Sequence, residues 1–326
     1  MTVLVTGAAG FIGYHVSTAL LDRGDAVLGV DVVNDYYDPR LKEARLARLG
    51  SRPGFRLERR DIAAPGAVAE LLRADRSIDR VVHLAAQAGV RYSLTNPEAY
   101  IQANIIGQFQ VLEACRHQPG LKHLVYASSS SVYGGNTKLP FAIEDKVDKP
   151  VSLYAATKGS AELMSHCYSH LFGIPATGLR FFTVYGPWGR PDMSAYIFTR
   201  AILSGQPITV FNHGDMKRDF TYIDDIVAGV LAVLDRPPPA TGGEAAHRRY
   251  NLGNHRAEPL MRFISLIERA TNHKAVIEFA DMQPGDVKET YADITAAERD
   301  LGFSPKTPID VGIPRFVEWF RQYHGV

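Results

Sequence analysis

Apolar residues in the first half of the chain switch between two periods. Residues 2–6 (TVLVT) form a short β-branched run that stops at Gly7, after which Phe11, Ile12, Val16, Ala19 and Leu20 recur at helical spacing until Gly24. The pattern predicts a strand, a tight turn and a helix. A second buried strand is predicted over 26–30, and further apolar runs lie at 55–57, 81–85, 121–127 and 176–182. Helical patterns fall between them at about 39–49, 65–74, 97–117 and 152–171. Strands alternating with helices of this length imply right-handed βαβ units and an α/β fold with a parallel sheet covered on both faces.

The C-terminal third breaks this alternation. Turn-rich stretches at 186–191, 237–243 and 281–286 leave short helices near 194–204, 223–235, 259–270 and 310–323. This predicts a smaller, discontinuous α+β domain over the sheet's C-terminal edge. The expected division gives residues 1–183 and a returning segment 219–255 to the large domain, and 184–218 with 256–326 to the small one. The three prolines at 237–239 are read as a surface loop, and no internal repeat is visible.

Composition narrows the classes. With 326 residues, 46% apolar and 22% charged, the chain can bury a large core and is neither disordered nor fibrous. Thirty-six Lys and Arg against 35 Asp and Glu leave a net charge of +1, without the basic excess that a nucleic-acid polymer or an acidic membrane surface calls for. A local anionic ligand is still allowed. Cys115 and Cys167 are too few for a disulfide framework and suit a reducing compartment. No apolar run is long enough to span a membrane and no leader is read at the N-terminus, so the expected location is cytoplasmic.

The candidate chemistry starts in the first turn. Gly7, Gly10 and Gly13 (GAAGFIG) lie between the first strand and the first helix. There Gly7 can make the turn, Gly10 can let the backbone approach a pyrophosphate and Gly13 can let the helix pack on the sheet, with free N–H groups and the helix dipole facing the anion. This points to a Rossmann-type doubly wound sheet, although the spacing is GxxGxxG rather than GxGxxG. Asp31 ends the second strand, where a carboxylate accepts from an adenosine ribose and repels a 2′-phosphate, which favours NAD over NADP. Asp61 and Ile62, after the third strand, are placed to meet the adenine, and a helix N-cap accounts for Asp61 almost as well. Tyr154 and Lys158 (YAATK) share one helix face at i, i+4, where an ammonium would help to stabilise a phenolate base. The serine run 128–131 ends a strand at the edge where α/β folds bind ligands, and one hydroxyl there could assist the tyrosine. His166 and His170 have the spacing of a helical metal pair but lack a third ligand, so no metal site is expected.

The glycine turn, HLAAQ at 83–87, the serine strand end, Tyr154 to Lys158 and LRFFTVYGP at 179–187 resemble the extended short-chain dehydrogenase/reductases that act on nucleotide sugars. NDYYD at 34–38, AGVRYS at 88–93, TVYGPWGRPDM at 183–193 and RDFTYIDD at 218–225 resemble UDP-glucuronate 4-epimerases more narrowly. The resemblance implies NAD held by Gly7, Gly10, Phe11, Ile12, Gly13, Asp31, Asp61, Ile62, Leu84, Ala85, Ala86, Gln87, Asn104, Tyr154, Lys158 and Phe181. It implies Tyr154 as base, Lys158 as its partner and ribose ligand, and Ser129 as the assisting hydroxyl. Ser130, Ser131, Thr183 and Arg190 would hold the uronate carboxylate, with Arg91 as a further candidate. Arg218 would hold the diphosphate, while the 208–211 strand, Val210 included, would offer backbone groups to the uracil and Phe211 a stacking face. Gln283 stands where galactose-type relatives carry an arginine. The implied reaction converts UDP-glucuronate to UDP-galacturonate through a 4-keto sugar, in a homodimer built on the helices at 97–117 and 152–171.

Three alternatives stay open. A UDP-glucuronate decarboxylase, or another UDP-hexose 4-epimerase, would use the same cofactor turn. Decarboxylating relatives carry Glu two residues before the tyrosine of their V-Y-G run, whereas here Ser131 stands before Val132 and Tyr133. An NAD-binding regulatory protein without catalysis is opposed by the intact Tyr154, Lys158 and Ser129.

Overall fold

A computed structural model describes residues 1–240, 243–283 and 285–326; Thr241 and Gly242 of the expected 237–243 loop, and Pro284 of the 281–286 turn, lie outside the described residues. In chain order the strands are β1 (Thr2–Thr6), β2 (Ala26–Asp31), β3 (Phe55–Arg59), β4 (Ile78–His83), β5 (His123–Ser129), β6 (Ala176–Phe181), β7 (Thr183–Tyr185), β8 (Pro207–Phe211), β9 (Lys217–Arg218), β10 (Phe220–Tyr222), β11 (His247–Leu252), β12 (Glu258–Pro259) and β13 (Val276–Ala280). The helices are α1 (Phe11–Asp22), α2 (Pro39–Gly50), α3 (Ala67–Ala74), α4 (Tyr92–Thr95), α5 (Pro97–Tyr100), α6 (Gly107–Arg116), α7 (Leu153–Phe172), α8 (Ser194–Leu203), α9 (Ile223–Leu234), α10 (Leu260–Thr271), α11 (Thr295–Leu301) and α12 (Ile309–His324).

Seven strands form one parallel sheet in the order β11-β6-β5-β4-β1-β2-β3. Both faces are covered, as β1 illustrates. Val3 and Val5 enter a core shared with Phe11 and Val16 of α1 and Ile226 and Val230 of α9, while Leu4 enters a second core with Leu71 of α3 and Val111 of α6. Each such side chain contributes roughly 1.5–3 kcal/mol relative to exposure, which is why a near-continuous apolar strand is stable only between two helical layers. The chain runs from β1 outward to β3 and then crosses back to β4, so the strand order reverses between β1 and β4, and a crevice opens there at their C-terminal ends.

Beyond β6, the pairs β7–β10 and β8–β13 are parallel and β9–β12 is antiparallel. Helices α8, α10 and α12 pack around Phe263, Phe316 and Phe320. Three sequence expectations are corrected. The strand expected at 81–85 is Ile78–His83, because Leu84 and Ala85 turn into the crevice, their N–H groups bonding the carbonyl and the hydroxyl of Thr6. The strand expected at 121–127 starts at His123 and runs on to Ser129. The helix expected at 97–117 is α5, a π-helical stretch Ile101–Ile106 and α6.

Candidate active site

One cleft of about 1150 Å³ runs from the glycine turn to β8 and collects residues from both halves of the chain. On its first wall α1 begins at Gly10 without a side-chain cap, so the N–H groups of its first turn are left to an anionic ligand. The glycines are required sterically. Gly7 has φ +75°, and a Cβ there would lie 2.7 Å from the backbone N of Ala85; a Cβ on Gly13 would lie 2.0 Å from the Gly7 carbonyl oxygen. Asp31 accepts from Ala9 N (3.0 Å) and Val33 N (2.8 Å), which fixes its carboxylate on the cleft wall beside Lys42. Gln87 also lines this wall, and its buried Nε2 has no partner among the described residues. An uncapped helix start, glycines pressed on neighbouring backbone, a ribose-type carboxylate and an orphaned donor together fit a dinucleotide.

At the centre, Ser152 caps α7 by accepting from Ala155 N, and the helix then presents Tyr154 and Lys158 to the cleft. Further along, Glu162 is buried in a fork from Arg180 of β6 (2.8 and 2.7 Å) and accepts from Ser128 (2.6 Å). This pair fixes the helix against β5 and β6, and removing Glu162 would leave the buried Arg180 charge uncompensated at a cost of about 3–5 kcal/mol. Lys158 donates to the Ala127 carbonyl (3.0 Å), and burial pushes its ammonium down to about 8. His83 bonds the Thr6 hydroxyl through Nδ1 (2.7 Å), and burial, then the Lys158 charge, lower it to about 3, so it is neutral. Burial raises the Tyr154 phenol above its ordinary range, against the opposing influence of the nearby Ser129 hydroxyl and of the Arg190 charge. Ser129 Oγ also accepts from Ser131 N and donates to Ser131 Oγ, both at 3.1 Å, within the 3-10 turn Ser130–Tyr133.

The far wall is charged. Arg190 Nε and Nη2 fork onto Asp192 (3.0 and 2.5 Å), and Tyr36 donates to the same carboxylate (3.1 Å). Asp286 bridges Arg91 (3.1 Å) and Arg218 (3.6 Å), and the Arg91 guanidinium lies over the Phe211 ring at 4.5 Å. Arg45, fully buried on α2, donates to Ala9 O (2.8 Å) in the glycine turn and to Trp188 O (2.6 Å) before Arg190, which ties the two walls together.

Gly7, Gly10, Phe11, Ile12, Gly13, Asp31, Asp61, Ile62, Leu84, Ala85, Ala86, Gln87, Tyr154, Lys158 and Phe181 all line this cleft, as do Arg91, Ser129, Ser130, Ser131, Thr183, Arg190, Phe211 and Arg218. Three expected residues stand apart. Asn104 is buried behind the wall, where it accepts from Gln87 N (2.8 Å) and donates to Gln87 O (2.9 Å), shaping the loop instead of facing the cleft. The Val210 side chain points into the core because it alternates with Phe211 along β8, which leaves the expected uracil contact to its backbone groups. Gln283 is off the cleft wall, and Asp286 three residues later takes the place facing the arginines. Asp61 caps no helix: it accepts from Ala63 N in the preceding turn, and α3 starts only at Ala67. Sequence reasoning missed Tyr36, Lys42, Arg45, Asp192 and Asp286, although Tyr36 and Asp192 lie inside the quoted NDYYD and TVYGPWGRPDM motifs.

The sequence pattern of the NAD dependent epimerase/dehydratase family matches residues 3–253. The chain is 49% identical over 335 residues to UDP-glucuronate 4-epimerase 4 of Arabidopsis thaliana, covering 100% of this chain and 76% of that one. It is 47% identical to Protein CapI of Staphylococcus aureus, covering 99% of each. Its fold is similar to the crystal structure of UDP-glucuronic acid 4-epimerase from Bacillus cereus in complex with UDP-glucuronic acid and NAD, with a TM-score of 0.90, 36% identity, and 99% and 100% of the two chains covered.

Proposed function

The chain belongs to the NAD dependent epimerase/dehydratase family, and from that premise we propose that it is an isomerase that converts UDP-glucuronate to UDP-galacturonate by inverting C4 of the sugar. The observation that carries the reading is the convergence in one cleft of Tyr154 and Lys158 with the hydroxyls of Ser129, Ser130, Ser131 and Thr183 and the guanidinium of Arg190. A base pair alone fits any sugar reductase. A cluster of hydroxyls with a cation, without a carboxylate between Ser129 and Tyr133, fits a substrate whose own carboxylate is held and kept.

The glycine turn and the uncapped start of α1 would hold the NAD pyrophosphate, Asp31 the adenosine ribose, and Tyr154 and Lys158 the nicotinamide end. NAD supplies reversible hydride acceptance at the sugar carbon when bound. Tyr154 removes the proton from the sugar 4-hydroxyl and returns it after the keto sugar has turned its other face, with Ser129 hydrogen-bonding the same oxygen. The buried Lys158 ammonium favours the phenolate form of Tyr154 through the field it adds to the site. Ser130, Ser131, Thr183 and Arg190 hold the carboxylate so that the sugar keeps it, while Arg218 and Phe211 hold the UDP end through the turn.

The large domain then comprises 1–183 with 219–255, consistent with β11 joining the main sheet, and the small domain 184–218 with 256–326. A homodimer is supported by exposed Ile101, Ile106 and Phe109 on the α5–α6 segment and by Leu163, Leu171 and Phe172 on α7. Two unpaired cysteines support a reducing compartment such as the cytoplasm. The test is to incubate the purified protein with UDP-glucuronate and follow the sugar protons by NMR. A galacturonate signal is expected; a pentose signal with CO2, or no conversion by NAD-loaded protein, overturns the reading.

A further inference from the structure

The cation expected to meet the uronate is already balanced. Arg190 presents Nε and Nη2 to Asp192 in a two-point fork, and Tyr36 donates a third hydrogen bond to the same carboxylate. The Tyr36 ring is itself held against Tyr92 with centroids 4.8 Å apart. Arg190 lines the cleft, and its third nitrogen, Nη1, has no hydrogen-bond partner among the described residues. The pair is partly buried, so its charges are only partly screened. Burial alone would raise the Asp192 carboxyl, but the charge and hydrogen bonds of Arg190 win and hold it below the usual carboxylate range. Burial, with the neighbouring Asp192 charge, pushes the Tyr36 phenol up to about 12. Near pH 7 the cluster therefore carries one positive and one negative charge.

Resting on the function proposed above, we propose that Asp192, braced by Tyr36, is a positioning and specificity residue that limits how tightly Arg190 holds the substrate carboxylate, so that the sugar can turn between its two faces. A free guanidinium would offer a carboxylate either of its two forked edges and an unopposed charge. With the Nε and Nη2 edge taken, the end-on edge, formed by Nη1 and the second hydrogen of Nη2, is left to the ligand, and the Asp192 charge opposes the ligand's approach. Contacts that hold the sugar equally before and after the turn slow the turn itself, because they stabilise the ground state. The neutral hydroxyls of Ser130, Ser131 and Thr183 line the same cleft, and they exchange partners more easily than a fully engaged ion pair does.

Calorimetry on NAD-loaded protein tests this by comparing the Kd of UDP-glucuronate with that of UDP, which lacks the uronate. In Asp192→Asn, UDP-glucuronate is expected to bind about tenfold tighter, with UDP unchanged and kcat reduced. Asp192→Glu keeps the charge and is expected to stay within about threefold of the parent ratio, a rescue that a merely structural role for the aspartate would not require. Should the amide variant fail to fold, Asp192→Ser carries the same expectation. UDP-glucuronate binding that is unchanged or weaker, relative to UDP, in the uncharged variants overturns the inference. A parent protein that turns over UDP-glucuronate while those variants bind it no tighter removes this inference alone; a parent without turnover removes the underlying function and this inference with it.

Discussion

The two walls of the cleft are built from opposite materials. The wall assigned to NAD is mostly backbone: Gly7, Gly10 and Gly13, the uncapped start of α1, and the Leu84–Ala85 peptide bonded to Thr6. It is locked by contacts that leave no room even for a methyl group. The sugar wall is made of side chains from residues 36, 91, 190–192, 218 and 286, and every cation named on it already holds a carboxylate. A backbone wall cannot rearrange without moving the sheet, whereas ion pairs can exchange one anion for another. The difference teaches that a cofactor that stays through the cycle is matched to the rigid wall, and a sugar that must turn is matched to partners that can let go.

The comparison breaks first at Gly13. In Gly13→Ala the added carbon falls on the Gly7 carbonyl oxygen, so the turn must move. Purified variant is expected to carry no NAD and to lose about 3 kcal/mol of stability, read from bound-cofactor absorbance and denaturant unfolding. Full NAD content in this variant would show that the wall is not rigid. Arg218→Ala tests the opposite wall. UDP should bind about ten- to a hundredfold more weakly in calorimetry while NAD content stays at the parent level, because the lost hydrogen bonds are charge-assisted ones confined to the sugar side. A parallel loss of NAD would mean that the walls are not separable.

Lys158, at the seam, sharpens the comparison with a smaller effect. Its ammonium is lowered to about 8 in the folded chain, against about 10.4 when unfolded. Between those pH values the unfolded chain holds the extra proton, so stability rises with pH across that window and the full cost of burying the charge applies below about 8. Lys158→Met is therefore expected to unfold at a higher temperature than the parent near pH 7, by an amount on the order of 1–2 kcal/mol, while losing turnover. In the parent, turnover should fall as pH rises past about 8, where the ammonium is lost. A Met variant less stable than the parent near neutral pH would contradict this account.

What could be read from the sequence follows the same division. The glycine turn and the Tyr154–Lys158 face depend on spacing within one or two elements, so local periodicity reveals them. Asp286 was passed over in favour of Gln283 because its value comes from meeting Arg91, 195 positions away in the chain. β11 was hidden for a related reason. Its HRRYNL sequence places Arg248 and Arg249 at the open edge of the sheet, half-exposed and without the alternation that marks a buried strand, and it is defined by pairing with β6 across the α8–α9 region. Asp192 lay in a quoted motif, but a carboxylate two residues from an arginine carries no meaning until Tyr36 is seen to close on it.

The π-helical stretch Ile101–Ile106 has a consequence for insertions and deletions. Wider turns let this segment carry one residue more than an α-helix of the same rise would hold. Losing a single codon here would let the stretch close as ordinary α-helix without breaking the reading frame, leaving α5 and α6 nearly in register but redirecting side chains inside the stretch by up to about 100°. Asn104 would then swing away from Gln87 and from Thr157, to which it also donates (3.0 Å). A helix that looks tolerant of small length changes is thus a place where the number of residues is fixed, because one amide has to reach through it to the loop that lines the cofactor wall.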